Sequence, residues 1–147
     1  MHTQAHALNQ ILAETFILYV KTLKYHWNIV GPNFGPLHAL LDGQYHTLAE
    51  HIDGIAERVR MMNQAPIGTC KEFLELAKNN ITEQPGVHPK DMQMLKDLLA
   101  DHTALMVTIQ KGLDLFDSKK DYGNLDFATK LLQDHEKMAW FLKSHLE

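Results

Sequence analysis

Apolar residues recur every three or four positions along four long stretches of this chain, and no stretch alternates apolar and polar residues in the manner of a strand. A period near 3.6 buries one stripe of a helix, so the pattern predicts helices and excludes a sheet. The first runs roughly from Thr3 to Ile29 and carries Leu8, Ile11, Leu12, Thr15, Phe16, Tyr19 and Leu23 on its stripe. Gly31-Pro32 ends it, because glycine accepts the C-cap conformation and proline cannot continue a helix. A second helix is predicted from about Pro36 to Asn63, with Leu37, Leu41, Tyr45, Leu48, Ile52, Ile55 and Val59 inward. Two breakers, Ala65-Pro66-Ile67-Gly68 and Gln84-Pro85-Gly86, bracket a short helix over Cys70 to Asn79. A third long helix starts near Pro89 with Met94, Leu95, Leu98, Leu99, Leu105, Ile109 and Leu113, and a turn spans Ser118 to Asn124. The fourth runs from about Leu125 to His145. The expected fold is all-α: one domain over residues 1–147, a four-helix bundle with a short extra helix between helices two and three.

With 147 residues the chain is long enough to bury a real core. Its net charge of −4 is the wrong sign for a surface that grips nucleic acid as a whole. No basic segment precedes an apolar run at the N-terminus, and no stretch approaches ~18 consecutive apolar residues, so neither a signal peptide nor a membrane span is expected. Cys70 is the only cysteine. It cannot form an intrachain disulfide or a thiolate metal cluster, and a reducing, cytoplasmic compartment is expected.

Ten histidines raise the question of metal, which spacing has to answer. His38, Asp42, Asp53 and Glu57 on the second helix fall at about 0, 40, 60 and 100° on the helix wheel, one stripe beside the apolar one. Ala49 and Ala56 share that stripe, and small residues let a second backbone approach. Imidazole and carboxylate suit iron in both oxidation states, whereas a structural zinc site favours thiolates; zinc remains a substitute occupant. His38 and Asp42 sit one turn apart, as do Asp53 and Glu57, but the two pairs lie too far apart along one straight helix to share an ion. Both the 38–57 and the 42–53 pairs have their midpoint between Thr47 and Leu48. A two-fold axis there lays an identical helix antiparallel, with His38 facing the partner's Glu57 and Asp42 facing the partner's Asp53, which makes two equivalent sites per dimer. His26, about one turn before Gly31, is brought to the level of His38 by the Gly-Pro turn. The competing reading is a solvated helix face. A metal centre inside a single bundle needs Glu-x-x-His pairs, and the chain contains none.

The run His26-Trp27-Asn28-Ile29-Val30-Gly31-Pro32-Asn33-Phe34, followed by Leu37-His38, Leu41-Asp42 and Asp53-Gly54-Ile55-Ala56-Glu57-Arg58, resembles the Dps family of mini-ferritins. The resemblance covers essentially the whole chain, including the small crossover helix and Trp140. It implies a ferritin-like fold and ferroxidase ligands at His26, His38 and Asp42 of one subunit with Asp53 and Glu57 of its two-fold partner. It also implies a homo-oligomer of two-fold dimers assembled into a hollow dodecamer. Such a cage oxidises Fe2+ preferentially with hydrogen peroxide and stores the ferric mineral, protecting the cell against oxidative damage. Trp27 matches the tryptophan beside the iron site, where it is thought to intercept stray oxidising equivalents; it also suits a core aromatic closing the helix hairpin.

In the family, acidic residues near the start of the last helix line three-fold pores that admit iron. Asp117, Asp121 and Asp126 crowd this turn, and Asp126 matches best; capping and dipole matching explain the same residues. His46 lies near the two-fold axis, as an accessory ligand or a hydrogen-bonded interface residue. His51 lies off the ligand stripe and is expected at the surface or an interface. His2 and His6 are expected on a solvated face, and the methionines in the core. Two other functions compete with the ferroxidase: a DNA-binding, nucleoid-protecting protein and a catalytically silent metal-binding cage. DNA binding in such proteins usually depends on a Lys- or Arg-rich tail, and here the first basic residue is Lys21, so DNA is not an expected partner.

Overall fold

The computed structural model describes residues Thr3 to Glu147. Five helices follow in order: α1 (Thr3–Asn28), α2 (Phe34–Met61), α3 (Cys70–Ala77), α4 (Asp91–Ser118) and α5 (Tyr122–Ser144). The all-α expectation holds, and the differences lie at helix ends. Helix α2 begins two residues before Pro36, which therefore sits in the first turn, where its missing N–H would have had no intrahelical partner. Helix α5 begins at Tyr122, three residues ahead of the expected start. Asp121 caps it by accepting from the Asn124 N–H at 3.3 Å, and Lys120 turns the chain at φ 54°. The short α3 is secured by a capping box in which Thr69 and Glu72 satisfy each other's backbone N–H groups.

Side-chain contacts fix the topology. Tyr25 reaches Asp97, Lys21 reaches Asp101 and Thr108 reaches Glu14, so α1 and α4 run antiparallel. Gln44 meets the Met138 carbonyl, His51 meets Asp134 and Arg58 meets Asn124, so α2 and α5 are antiparallel as well. Since α1 and α2 form a short-loop hairpin, α2 and α4 must point the same way. The connector between them crosses the length of the bundle and carries α3 against α1, where Phe73 stacks on Phe16 at 4.3 Å. One long crossover of this kind distinguishes the ferritin arrangement from an up-and-down bundle. Among the described residues, no helix is long and apolar enough to cross a membrane.

Leu8, Leu12, Leu41, Leu48, Ile55, Leu95, Leu98, Leu105, Ile109 and Phe116 fill the core. Glu14 is also buried, and its carboxylate accepts from Gln10 (2.6 Å), Asn80 (2.5 Å) and Thr108 (2.8 Å), tying the connector to α1 and α4. Three donors offset much of the cost of removing a carboxylate from water. Phe116 is 0% exposed. Phe116→Ala should therefore cost about 3–5 kcal/mol, through lost burial and the cavity left behind. Thermal denaturation should show a midpoint lower by about 10 °C; a shift under 2 °C would mean that the core collapses around the gap.

Candidate metal centre

The α1–α2 hairpin brings His26 and His38 together as the Gly-Pro turn predicts. Gly31 makes that turn at φ +133°, a region disfavoured for residues with a Cβ, and a Cβ there would stand 2.9 Å from the Asp91 carboxylate. The two imidazoles stack with centroids 3.7 Å apart and planes 15° from parallel. Their hydrogen bonds are reciprocal: His26 Nδ1 donates to the His38 carbonyl and His38 Nδ1 to the His26 carbonyl, both at 2.8 Å. A carbonyl only accepts, so both Nδ1 atoms carry the proton and both Nε2 atoms present lone pairs. Backbone hydrogen bonding of this kind orients metal-binding histidines and sets their tautomer. His26 is buried and His38 half-buried.

Asp42 follows His38 by one turn of α2 and is half-buried. Tyr45 joins this group: its ring lies 5.2 Å from that of His26, and its phenol pKa is raised, first by the hydrogen bond to Asp42. The sequence placed Tyr45 on the apolar stripe; its hydroxyl reaches back toward the ligand stripe because a long side chain can lie along the border between the two. His46 is exposed and donates from Nδ1 to the Asp42 carbonyl at 2.8 Å, stacking on Tyr45 at 4.3 Å.

Asp53 and Glu57 are exposed and stand one turn apart further along α2. Helix rise separates Asp42 from Asp53 by about 16 Å. The chain therefore carries two separate groups of candidate ligands: His26, His38 and Asp42 at one end of the stripe, Asp53 and Glu57 at the other. Among the described residues, no group of three or more His, Cys, Asp or Glu side chains is placed to hold a metal ion within the single chain.

Several other positions are now placed. Trp27 is 68% exposed in the single chain, so it does not close the hairpin as a core aromatic; Ile29 occupies that buried position instead. Asp121 is engaged as the α5 cap, bonding Asn124 through both carboxylate oxygens, while Asp117 and Asp126 are exposed. His6 is exposed, as expected, and His2 lies outside the described residues.

His51 corrects the expectation of a surface or interface position, being 6% exposed and packed in the bundle. It shares the core face of α2 with Gln44 and Ile55. There its Nε2 bonds Asp134 at 2.9 Å, and its ring lies 5.4 Å from that of His135. His135 in turn bonds His102, Nδ1 to Nδ1, at 2.8 Å. Burial, followed by the nearby His51, pushes His102 down to about 3, and burial with its two histidine neighbours puts His135 well below the ordinary value. His51 is lowered too, since burial outweighs the attraction of Asp134. Neither His102 nor His135 was singled out from the sequence. The available signal was positional: His102 stands between Leu98 and Leu105, and His135 between Leu131 and Met138, on stripes otherwise apolar.

Known proteins agree with this architecture. The ferritin-like domain family matches residues 5–147. An uncharacterised low temperature-induced protein of Nostoc sp. is 43% identical over 141 residues, covering 95% of this chain and 78% of the relative. The crystal structure of a Dps protein from Bacillus brevis superposes with a TM-score of 0.93 at 32% identity, covering 99% of this chain and 95% of that one. Another, the DPS protein from Vibrio cholerae, superposes at 0.91 with 27% identity over 99% of this chain and 89% of its own. That protein is described as a member of a broad superfamily of ferritin-like diiron-carboxylate proteins. The crossover topology and these matches along almost the whole chain lead to one conclusion: the protein belongs to the Dps branch of the ferritin-like family.

Proposed function

We propose that this protein is a ferroxidase and iron store whose oxidation sites are completed across a two-fold dimer. The observation that carries the reading is the reciprocal pair of backbone hydrogen bonds on His26 and His38. It holds two imidazoles in the ligating tautomer beside Asp42, yet supplies too few carboxylates to hold ferric iron in one chain. The common midpoint on α2 brings the partner's Asp53 and Glu57 to the same place. The isologous dimer thereby gains two mixed imidazole–carboxylate sites, a donor set suited to Fe2+ and Fe3+ alike.

Iron is the substrate. Two Fe2+ ions each give one electron to one hydrogen peroxide molecule; its O–O bond breaks, two protons are taken up and two water molecules form. Taking both electrons at one site keeps peroxide from being split into hydroxyl radical. Trp27, next to His26 in sequence, would intercept oxidising equivalents that escape. Asp126, with Asp117 nearby, would line a negatively charged passage that draws Fe2+ inward by simple electrostatics. The assembly is a cytoplasmic dodecameric cage that retains the ferric product, and zinc would act as a substitute occupant of the same ligands. With a net charge of −4, direct DNA binding is no part of this reading.

The test is the anaerobic initial rate of Fe2+ oxidation by hydrogen peroxide, with stoichiometry. The expected result is a rate well above the protein-free rate, two Fe2+ consumed per peroxide, and no hydroxyl radical captured by a spin trap. A rate equal to the protein-free control would overturn the proposal and leave a structural or zinc-holding cage.

A further inference from the structure

Large apolar side chains scattered singly over a surface need no explanation, but two of those exposed here lie on the polar stripe of α2. Phe34 is 46% and Met61 65% exposed. On the wheel that puts His38 at 0° and Glu57 at about 100°, they fall at about −40° and 140°. Each stands one turn outside a candidate ligand, Phe34 before His38 and Met61 after Glu57, so the stripe begins and ends in an apolar residue. Their midpoint lies between Thr47 and Leu48, the point shared by the 38–57 and 42–53 pairs.

We infer, building on the ferroxidase dimer proposed above, that Phe34 of one chain and the partner's Met61 close each iron site against water at its outer end. The occupant of this apolar patch is a second copy of the same chain. The axis that sets His38 against the partner's Glu57 sets Phe34 against the partner's Met61 one turn further out. Shifting the register by one turn puts either Phe34 against the partner's Glu57 or His38 against the partner's Met61. Only the unshifted pairing matches apolar with apolar and imidazole with carboxylate together, and mismatched contacts of the other kind disfavour the shifted pairings.

The surroundings of both residues suit this role. The Phe34 ring stacks on that of His38, with centroids 4.9 Å apart and planes 22° from parallel, and His38 stacks in turn on His26. Stacking covers the flat face of an imidazole and leaves its edge free, where the unprotonated Nε2 presents its lone pair. At the other end of the stripe, Met61 Sδ accepts from Arg58 Nη1 at 3.5 Å, and Arg58 Nε donates to Asn124 at 2.8 Å. The thioether is thus held at the end of α2, and sulfur packs favourably against an aromatic ring. An apolar shell controls how much water reaches a metal site, and opposite charges attract more strongly where water is excluded. Neither residue ligates iron; both strengthen the hold of the carboxylates and imidazoles beside them.

The full chain carrying Cys70→Ser, Phe34→Cys and Met61→Cys would be treated, without iron, with a short bifunctional thiol reagent. Cys70 is replaced because it is exposed and would react. Helix rise keeps positions 34 and 61 of one chain about 40 Å apart, so the reagent can bridge them only between chains. The expected result is a covalent dimer on a denaturing gel, absent when either position alone carries the cysteine. In anaerobic Fe2+ titrations, Met61→Asn should bind about 10-fold more weakly than wild type, and Met61→Leu should recover the tight binding. Phe34 and Met61 are exposed in the single chain, so these substitutions leave its core intact. Absence of the covalent dimer, or unchanged Fe2+ affinity in Met61→Asn, would overturn the closure. The wild-type rate of oxidation by peroxide decides the ferroxidase reading separately.

Discussion

Co-refolding an Asp53→Ala/Glu57→Ala variant with a His26→Ala/His38→Ala variant should restore iron oxidation that neither shows alone. Each homodimer of either variant has no complete site, so each rate should fall to that of the protein-free reaction. In a hybrid dimer the intact histidines of one chain meet the intact carboxylates of the other, and the second site is doubly dead. Random pairing makes half the dimers hybrid, so the mixture should recover about a quarter of the wild-type sites. Stopped-flow oxidation with peroxide reads this directly. No recovery, in a mixture whose hybrid content is verified by mass spectrometry, would place both half-sites in separate chemistry and end the shared-site reading. The prediction is sharp because α2 is one continuous helix over Phe34–Met61. Its rise keeps Asp42 and Asp53 about 16 Å apart, and no rotamer closes that gap within one chain.

The second large effect is acid lability. His102 is lowered to about 3 and His135 well below its ordinary value, both first by burial. In the unfolded chain each takes a proton near pH 6.5, while in the folded chain each stays neutral. Below pH 6.5 the unfolded state therefore binds more protons, and stability falls with pH. Their contribution is fully present above about pH 6.5 and is lost progressively toward the folded values. His102 alone amounts to about 2 kcal/mol between pH 7.5 and pH 5, and His135 acts in the same direction. Urea denaturation in the presence of a chelator would measure it, and His102→Leu/His135→Leu should flatten the dependence. An equally steep loss in that variant would assign the acid sensitivity to other groups.

The outline of the fold was legible because helix formation and burial are read from the same 3.6-residue period. All five helices lie where apolar stripes and breakers place them, and the differences are confined to ends. Those ends were set by features with no periodic signal: the Asp121 cap that starts α5 early and the positive-φ turn at Lys120. On α2 the shared stripe of His38, Asp42, Asp53 and Glu57 was equally legible, since angular position on one helix is fixed by residue number alone. His26 was reached through the Gly-Pro turn, and Gly31 does adopt the backbone this needs.

What the stripe could not disclose was depth. Of the two roles expected of Trp27, that of a core aromatic closing the hairpin fails, because the residue is 68% exposed in the single chain where α1 ends. His51, off the ligand stripe, is expected at the surface or an interface, yet it lies on the face it shares with Ile55, opposite α5. A helix wheel places a residue relative to its own helix only. How far that face is covered depends on the neighbours, and the meeting of His51, His102 and His135 joins residues 51, 102 and 135 across three helices. The sequence by itself therefore determined the helices, the crossover and the separation of His38 and Asp42 from Asp53 and Glu57 along α2, all of which follow from local geometry along one axis. Only the tertiary structure decided the tautomers of His26 and His38, the reach of Tyr45 to Asp42 and the buried histidine cluster, because each depends on contacts that packing brings within bonding distance.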